Sequence, residues 1–317
     1  MAFAPSPAKL PPRRTGAADP RFLDLFTDDP RNAHLFLAGA PFDGAVIGRK
    51  GCKDGPTAIR EAMRFLASYD PVRGIDLAGF GIHDLGDIPV DANDVLAAHR
   101  IVRAHATAAF QAGAGPVVFL GGDNSLSFPH VQALHDAFGG SIGLVVLDAH
   151  YDLRPVPDNG IPTSGTPYRR ILESSLVKGP NLVEVGIRPY ANTKALADYA
   201  TQNGVRIVTT AQIREWGLDQ AVGYGLEKAG DGADHLFLSV DIDGLDQSIA
   251  SGCSSPGAGG LGFGEAAAFV HAVGSDPRCR GMDLVEVAPN LDPTGNTARA
   301  AAQLVAAFAG AVASRGG

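Results

Sequence analysis

Short apolar runs recur along the chain, each cut off by glycine or by an acid, with amphipathic or Ala-rich stretches between them. His34–Ala38, Pro116–Leu120, Val145–Leu147, Asn181–Val185, Val205–Val208, Leu236–Asp241 and Met282–Val287 are close to continuously apolar rather than alternating. That pattern predicts strands buried on both faces. Helices are predicted between them, over 57–68, 91–112, 128–138, 193–200, 213–229, 265–273 and 297–312. Pro56 opens the first, because proline is favoured at the first helical position, and Asp91 or Asn93 is the expected cap of the second. Alternating strands and helices predict an α/β fold, a single-domain three-layer α/β/α sandwich with a mainly parallel sheet. The domain is expected over 21–317. Residues 1–20 are rich in Pro and Ala, lack the apolar core of a signal peptide, and read as a disordered tail.

Two of the apolar runs end in acids spaced two apart. Val145–Val146–Leu147 leads into Asp148–Ala149–His150–Tyr151–Asp152, and Leu236–Val240 leads into Asp241–Ile242–Asp243. In extended chain, alternation would put Asp148, His150 and Asp152 on one side. Carboxylates packed that closely repel one another, and a divalent metal resolves the conflict. Parallel α/β sheets carry their sites at the carboxyl ends of strands, where both clusters fall. Together they describe a carboxylate-rich, two-metal site.

Composition narrows the field. A net charge of −8 on 317 residues argues against nucleic acid and acidic membrane as partners. No apolar stretch is long enough to span a bilayer. Cys52, Cys253 and Cys279 are too few and too scattered for a disulfide framework or a zinc site, so a cytoplasmic location is expected and Cys253 reads as a packed thiol. Gly121–Gly122 lacks the spacing and the lysine of a phosphate loop and reads as a tight turn.

The strand-end residues Asn124, Asp148, His150, Asp152, Asp241, Asp243 and Glu286 form a set that resembles the ureohydrolase superfamily of arginases, agmatinases and formimidoylglutamases. The resemblance rests on Gly-Gly-Asp-Asn-Ser at 121–125, Asp-Ala-His-Tyr-Asp at 148–152, Ser-Val-Asp-Ile-Asp-Gly-Leu-Asp at 239–246 and Glu286 in Leu-Val-Glu-Val-Ala-Pro. It implies two Mn²⁺ per subunit, bridged by Asp148 and Asp241. Asp152 and Asn124 would complete one ion, His150 and Asp243 the other. Asp152 would also carry a proton towards the leaving nitrogen, Glu286 would hold the amidinium, and Asp246 would act as a structural cap or support. Most of the family has His where this chain has Asn124, a neutral and weaker ligand. The alternative is that Asn124 caps the helix that follows.

Residues outside the metal set point to a branch. Ser164 stands where arginases and agmatinases carry a proton-shuttling His. Ser164–Arg169, the Leu153–Arg154 pair and Gly186–Thr193 are similar to formimidoylglutamase, which hydrolyses N-formimino-L-glutamate. Charge gives an independent reason, since a substrate with two carboxylates wants the planar fork of arginine. Arg154, Arg169, Arg170 and Arg188 all fall in loops expected around the metals. Arg154 and then Arg188 are the leading candidates for the anionic amidine, with Asn159, Asn192 and Ser164 as polar helpers. The other readings are an agmatinase or guanidino-acid ureohydrolase releasing urea, and a member without catalysis serving a binding or structural role. The resemblance also implies a homo-oligomer, trimeric or hexameric.

Overall fold

The computed structural model describes residues 1–14, 18–91 and 93–316. Its strands are β1 (Leu35–Gly39), β2 (Tyr69–Asp70), β3 (Ile75–Asp76), β4 (Ile82–Asp87), β5 (Val117–Leu120), β6 (Ile142–Leu147), β7 (Val177–Ile187), β8 (Arg206–Thr209), β9 (His235–Asp241) and β10 (Cys279–Val285). The helices are α1 (Gly55–Ala62), α2 (Val95–Phe110), α3 (Ser127–Phe138), α4 (Pro167–Glu173), α5 (Lys194–Asn203), α6 (Thr210–Trp216), α7 (Leu218–Gly230), α8 (Phe263–Ser275) and α9 (Asn296–Ala313). Among the described residues, eight strands form one sheet in the order β4-β1-β5-β10-β9-β6-β7-β8, and β2 and β3 form a small antiparallel hairpin. Every neighbouring pair in the large sheet is parallel.

The continuous apolar runs follow from this layering. On β6, Val145 and Leu147 pack into the core under α1, α7, α8 and α9, whereas Leu144 and Val146 pack into the core under α2 to α5. β5 and β9 divide in the same way, Leu238 to one side and Phe237 to the other. Burying each such side chain contributes about 1.5–3 kcal/mol, so an acid in a central strand needs a buried partner, as Asp283 on β10 has in His130 Nδ1 at 3.0 Å.

Some expectations change in the structure. The predicted helix over 213–229 is two helices, because Gly217 takes φ 84° and ψ 153°, outside the helical region. Asp94, rather than Asp91 or Asn93, caps α2 by accepting from Ala97 N. Edge strand β4 hides in the sequence because it reads Ile-His-Asp-Leu-Gly-Asp. Its acids serve a wholly buried Arg60, whose Nε and Nη2 bind Asp84 at 2.7 and 2.8 Å and whose Nη1 binds Asp87 at 2.6 Å. In the described part of the Pro- and Ala-rich start, contacts reach the body. Ala4 exchanges two backbone hydrogen bonds of 2.7 Å with Asp87, and Arg14 pairs with Asp24. Thr15–Ala17 lie outside the described residues.

Candidate metal centre

Sheet order builds the site. The four central strands, β5, β10, β9 and β6, are consecutive neighbours. Their carboxyl ends therefore deliver Asn124, Glu286, the Asp241/Asp243 pair and the Asp148–Asp152 loop side by side.

Each loop is shaped by its own polar residues. β6 stops at Leu147, and Asp148 Oδ1 accepts from His150 N at 2.6 Å, so the chain turns instead of running on extended. This corrects the alternation argument: Asp148, His150 and Asp152 converge because the loop bends, with Asp152 at φ 44°. Asp241 Oδ1 accepts from Asp243 N at 2.9 Å and opens a single 3-10 turn. Gly244 lets that turn close on the other loop, since a Cβ there would lie 3.2 Å from Asp148 N. After β5, Gly122 leaves no room for a side chain, its ideal Cβ falling 1.7 Å from Phe42 O. Asp123, rather than Asn124, then caps the following turn by accepting from Ser125 N. Glu286 leaves β10 at φ 67°, and its Oε1 accepts from Asn124 N at 2.8 Å. Positive φ is uncommon for residues with a side chain, and Asp152 and Glu286 are two of the four non-glycine residues that adopt it among the described residues, with Ser175 and Tyr190.

The result is two adjacent places for a cation. Asp148, His150 and Asp243 offer ligand atoms within 4.8 Å of one another, and so do Asp148, Asp152 and Asp241. Asp148 belongs to both. His150 Nδ1 lies 3.2 Å from Asp243 Oδ2 and 3.5 Å from Asp148 Oδ1. Burial would lower the His150 pKa, but hydrogen bonds to Asp148 and Asp243 carry it up to about 11. Burial raises Asp148 to about 6, with the charge of Asp243 adding to it. Burial and the neighbouring carboxylates push Asp152 and Asp241 well above the usual range. Four aspartates around one imidazole are a set of hard oxygen donors short of positive charge, which fits divalent cations.

Asn124 stands at the centre, wholly buried, but its amide nitrogen faces the acids. Nδ2 donates to Asp152 Oδ2 at 2.7 Å and to Asp148 Oδ2 at 3.4 Å. Oδ1 accepts instead from Ser127 Oγ at 2.8 Å and from the Tyr168 hydroxyl at 3.3 Å. Sequence reasoning missed Ser127, and Tyr168 stood in the quoted Ser164–Arg169 run without a role of its own. Ser239, which also touches both hydroxyls, stood in the quoted motif without a role.

The expected substrate residues divide. Arg154 is exposed on the loop after Asp152, beside Gly165, and forms no ion pair among the described residues. Arg188 is buried, with Nη1 on Gly257 O at 2.6 Å and Nη2 on Ser255 O at 3.4 Å, so it orders that loop. Both ends of the Asn192 amide hold the acid-bearing loop, Oδ1 accepting from Tyr151 N and Nδ2 donating to Ala149 O. Ser164 ties two loops together through Ile47 N and Ala45 O. Asn159 caps its own turn at Ile161 N, and Arg169 pairs with Glu173. Arg170 stacks 3.7 Å over the Phe128 ring and donates to His99. Asp246 is pulled down to about 2 by hydrogen bonds from Ser248 and Gly259, a turn-holding role. Cys253 is a buried thiol whose pKa burial raises, in keeping with packing.

The fold and site together are an all-parallel sheet with helices on both faces and, at its central strand ends, carboxylates and an imidazole whose donor set fits divalent cations. The arginase family model matches residues 33–310. The chain is 44% identical to the formimidoylglutamase of Halobacterium salinarum over 276 residues, 86% of each chain. Its fold superposes on the crystal structure of Bacillus subtilis formimidoylglutamase with a TM-score of 0.88 at 32% identity, covering 95% of this chain and 96% of that one. It also matches the crystal structure of Trypanosoma cruzi formiminoglutamase with Mn²⁺₂, with a TM-score of 0.87 at 29% identity, covering 94% and 99%. The chain belongs to the arginase family and is an enzyme that hydrolyses C–N bonds in linear amidines.

Proposed function

We propose that the chain is a formimidoylglutamase, converting N-formimino-L-glutamate and water to L-glutamate and formamide. The observation that carries the reading is the convergence of Asp148, His150, Asp152, Asp241 and Asp243, with Arg154, exposed and without an ion pair among the described residues, two positions after Asp152. Two Mn²⁺ would be held, one by Asp148, His150 and Asp243, the other by Asp148, Asp152 and Asp241. Such ions, when bound, activate water for attack on an electron-poor carbon.

The chain's own residues supply the rest. Glu286 Oε1 is fixed by Asn124 N, and Oε2 carries no hydrogen bond among the described residues, which leaves it to accept from the amidinium N–H. Asp152 carries a proton towards the leaving glutamate nitrogen. Arg154 offers its fork to a substrate carboxylate. Arg188 acts through the Ser255–Gly257 loop that it orders. A homo-oligomer in the cytoplasm goes with this reading; no helix among the described residues is long and apolar enough to cross a membrane.

The test is release of glutamate from N-formimino-L-glutamate by Mn²⁺-loaded protein, against a chelator-stripped control. Metal-dependent release is expected. Urea released from agmatine or a guanidino-acid, with N-formimino-L-glutamate untouched, would overturn the assignment.

A further inference from the structure

Beneath the acids lies a buried polar layer that this mechanism leaves unused. Ser239 on β9 is in register with Val146 on β6 and with Asp283 on β10, one layer below the strand-end acids. Ser239, Ser127, Tyr168 and Asn124 are all wholly buried. Ser239 Oγ lies 3.2 Å from Ser127 Oγ and 3.0 Å from the Tyr168 hydroxyl, and both of those contact Asn124 Oδ1. Three hydroxyls thus enclose the far end of the one neutral residue in the metal set.

Hydroxyls donate and accept alike, whereas an amide has distinct ends. With Nδ2 towards Asp152, every hydroxyl hydrogen has an acceptor: Ser127 and Tyr168 donate to Oδ1, and Ser239 donates to either. Turning the amide over presents Oδ1 to the acids and both N–H groups to the Ser127 and Tyr168 oxygens. The two contacts to Ser239 then absorb two of the three hydroxyl hydrogens, leaving one unpartnered within the cluster. Delete the hydroxyl of Ser239 or of Tyr168, and the original orientation stays fully partnered while the turned one leaves two donors without acceptors. The cluster therefore decides how readily the amide turns.

We propose that Ser127, Ser239 and Tyr168 are positioning residues that let Asn124 turn over, from a donor to Asp152 and Asp148 when no cation is held to an oxygen ligand when one is. The proposal rests on the two-cation reading above. It concerns the place formed by Asp148, Asp152 and Asp241, which lacks the imidazole that its neighbour has in His150.

Equilibrium dialysis of the full chain against Mn²⁺, with metal counted per chain, tests it on the wild type, Ser239→Ala and Tyr168→Phe. The wild type should hold two ions. Each variant should keep one ion at wild-type affinity and bind the other at least about 10-fold more weakly, the effect of one more unpartnered buried donor. The retained ion shows that the fold is intact. Two ions held at wild-type affinity in both variants would overturn the turn-over and leave the two-cation reading standing. Equal weakening of both ions would mark general damage to the site and also overturn it. A wild type that holds no more than one ion would overturn the two-cation reading and this proposal with it.

Discussion

Glu184 offers a sharp test of how burial governs this chain. It sits on β7 between Val183 and Val185, wholly buried, and neither carboxyl oxygen has a hydrogen-bond partner among the described residues. Burial holds its pKa well above 4.5, and the charges of Asp148 and Asp152 push the same way. An ionised carboxylate without a partner is far costlier to bury than a neutral one, so the folded chain keeps a proton that the unfolded chain gives up near pH 4.5. With the folded value raised, the stabilising contribution is complete below the unfolded pKa and is lost as pH climbs towards the folded one. Each pH unit in that window removes about 1.4 kcal/mol. Glu184→Gln keeps the shape and removes the titration. From pH 5 to pH 7 the variant should gain on the wild type by up to about 2.7 kcal/mol. Denaturant unfolding of both chains in saturating Mn²⁺ measures this, and titrations common to the two chains cancel in the difference. A stability difference that stays flat between pH 5 and pH 7 would refute the reasoning, because Glu184 would then have to be ionised at an ordinary pKa.

Three further outcomes are expected. Asp148→Asn, at the residue shared by both cation places, should leave fewer than two Mn²⁺ per chain by elemental analysis and lower kcat/KM by more than about 100-fold; supporting groups alone are worth about 10–100-fold. Asn192→Ala removes both hydrogen bonds that hold the Ala149–Tyr151 backbone, so Mn²⁺ affinity should fall by about 10-fold while far-UV circular dichroism is unchanged; wild-type affinity would count against that bracing role. Chelation should lower the melting temperature more at pH 8 than at pH 6. The metal-free fold must keep protons on Asp152 and Asp241, whose raised pKa values make its stability fall as pH rises, whereas bound cations remove that need. Equal losses at the two pH values would contradict it.

The elements most legible in the sequence are those with a strong local cause. β6 and β9 announce themselves because both of their faces are buried, and α9 because its Ala-rich run is long and amphipathic. β4 was illegible because its acids answer Arg60, a partner more than twenty residues away. Arg188 and Asn192 stood out as polar residues near the site, but nothing local says that one braces a loop through carbonyls and the other holds the backbone beside the acids.

The sequence by itself determined the parallel α/β layering, the carboxylates and imidazole at the strand ends, and the family, because each is carried by residue type and short-range spacing. Only the tertiary structure decided the strand order that brings β5, β10, β9 and β6 together, the bend that converges Asp148 and Asp152, and the end of the Asn124 amide that meets them. Those depend on contacts between segments far apart in the chain, and spacing along the sequence carries no information about which hydroxyl lies against which amide.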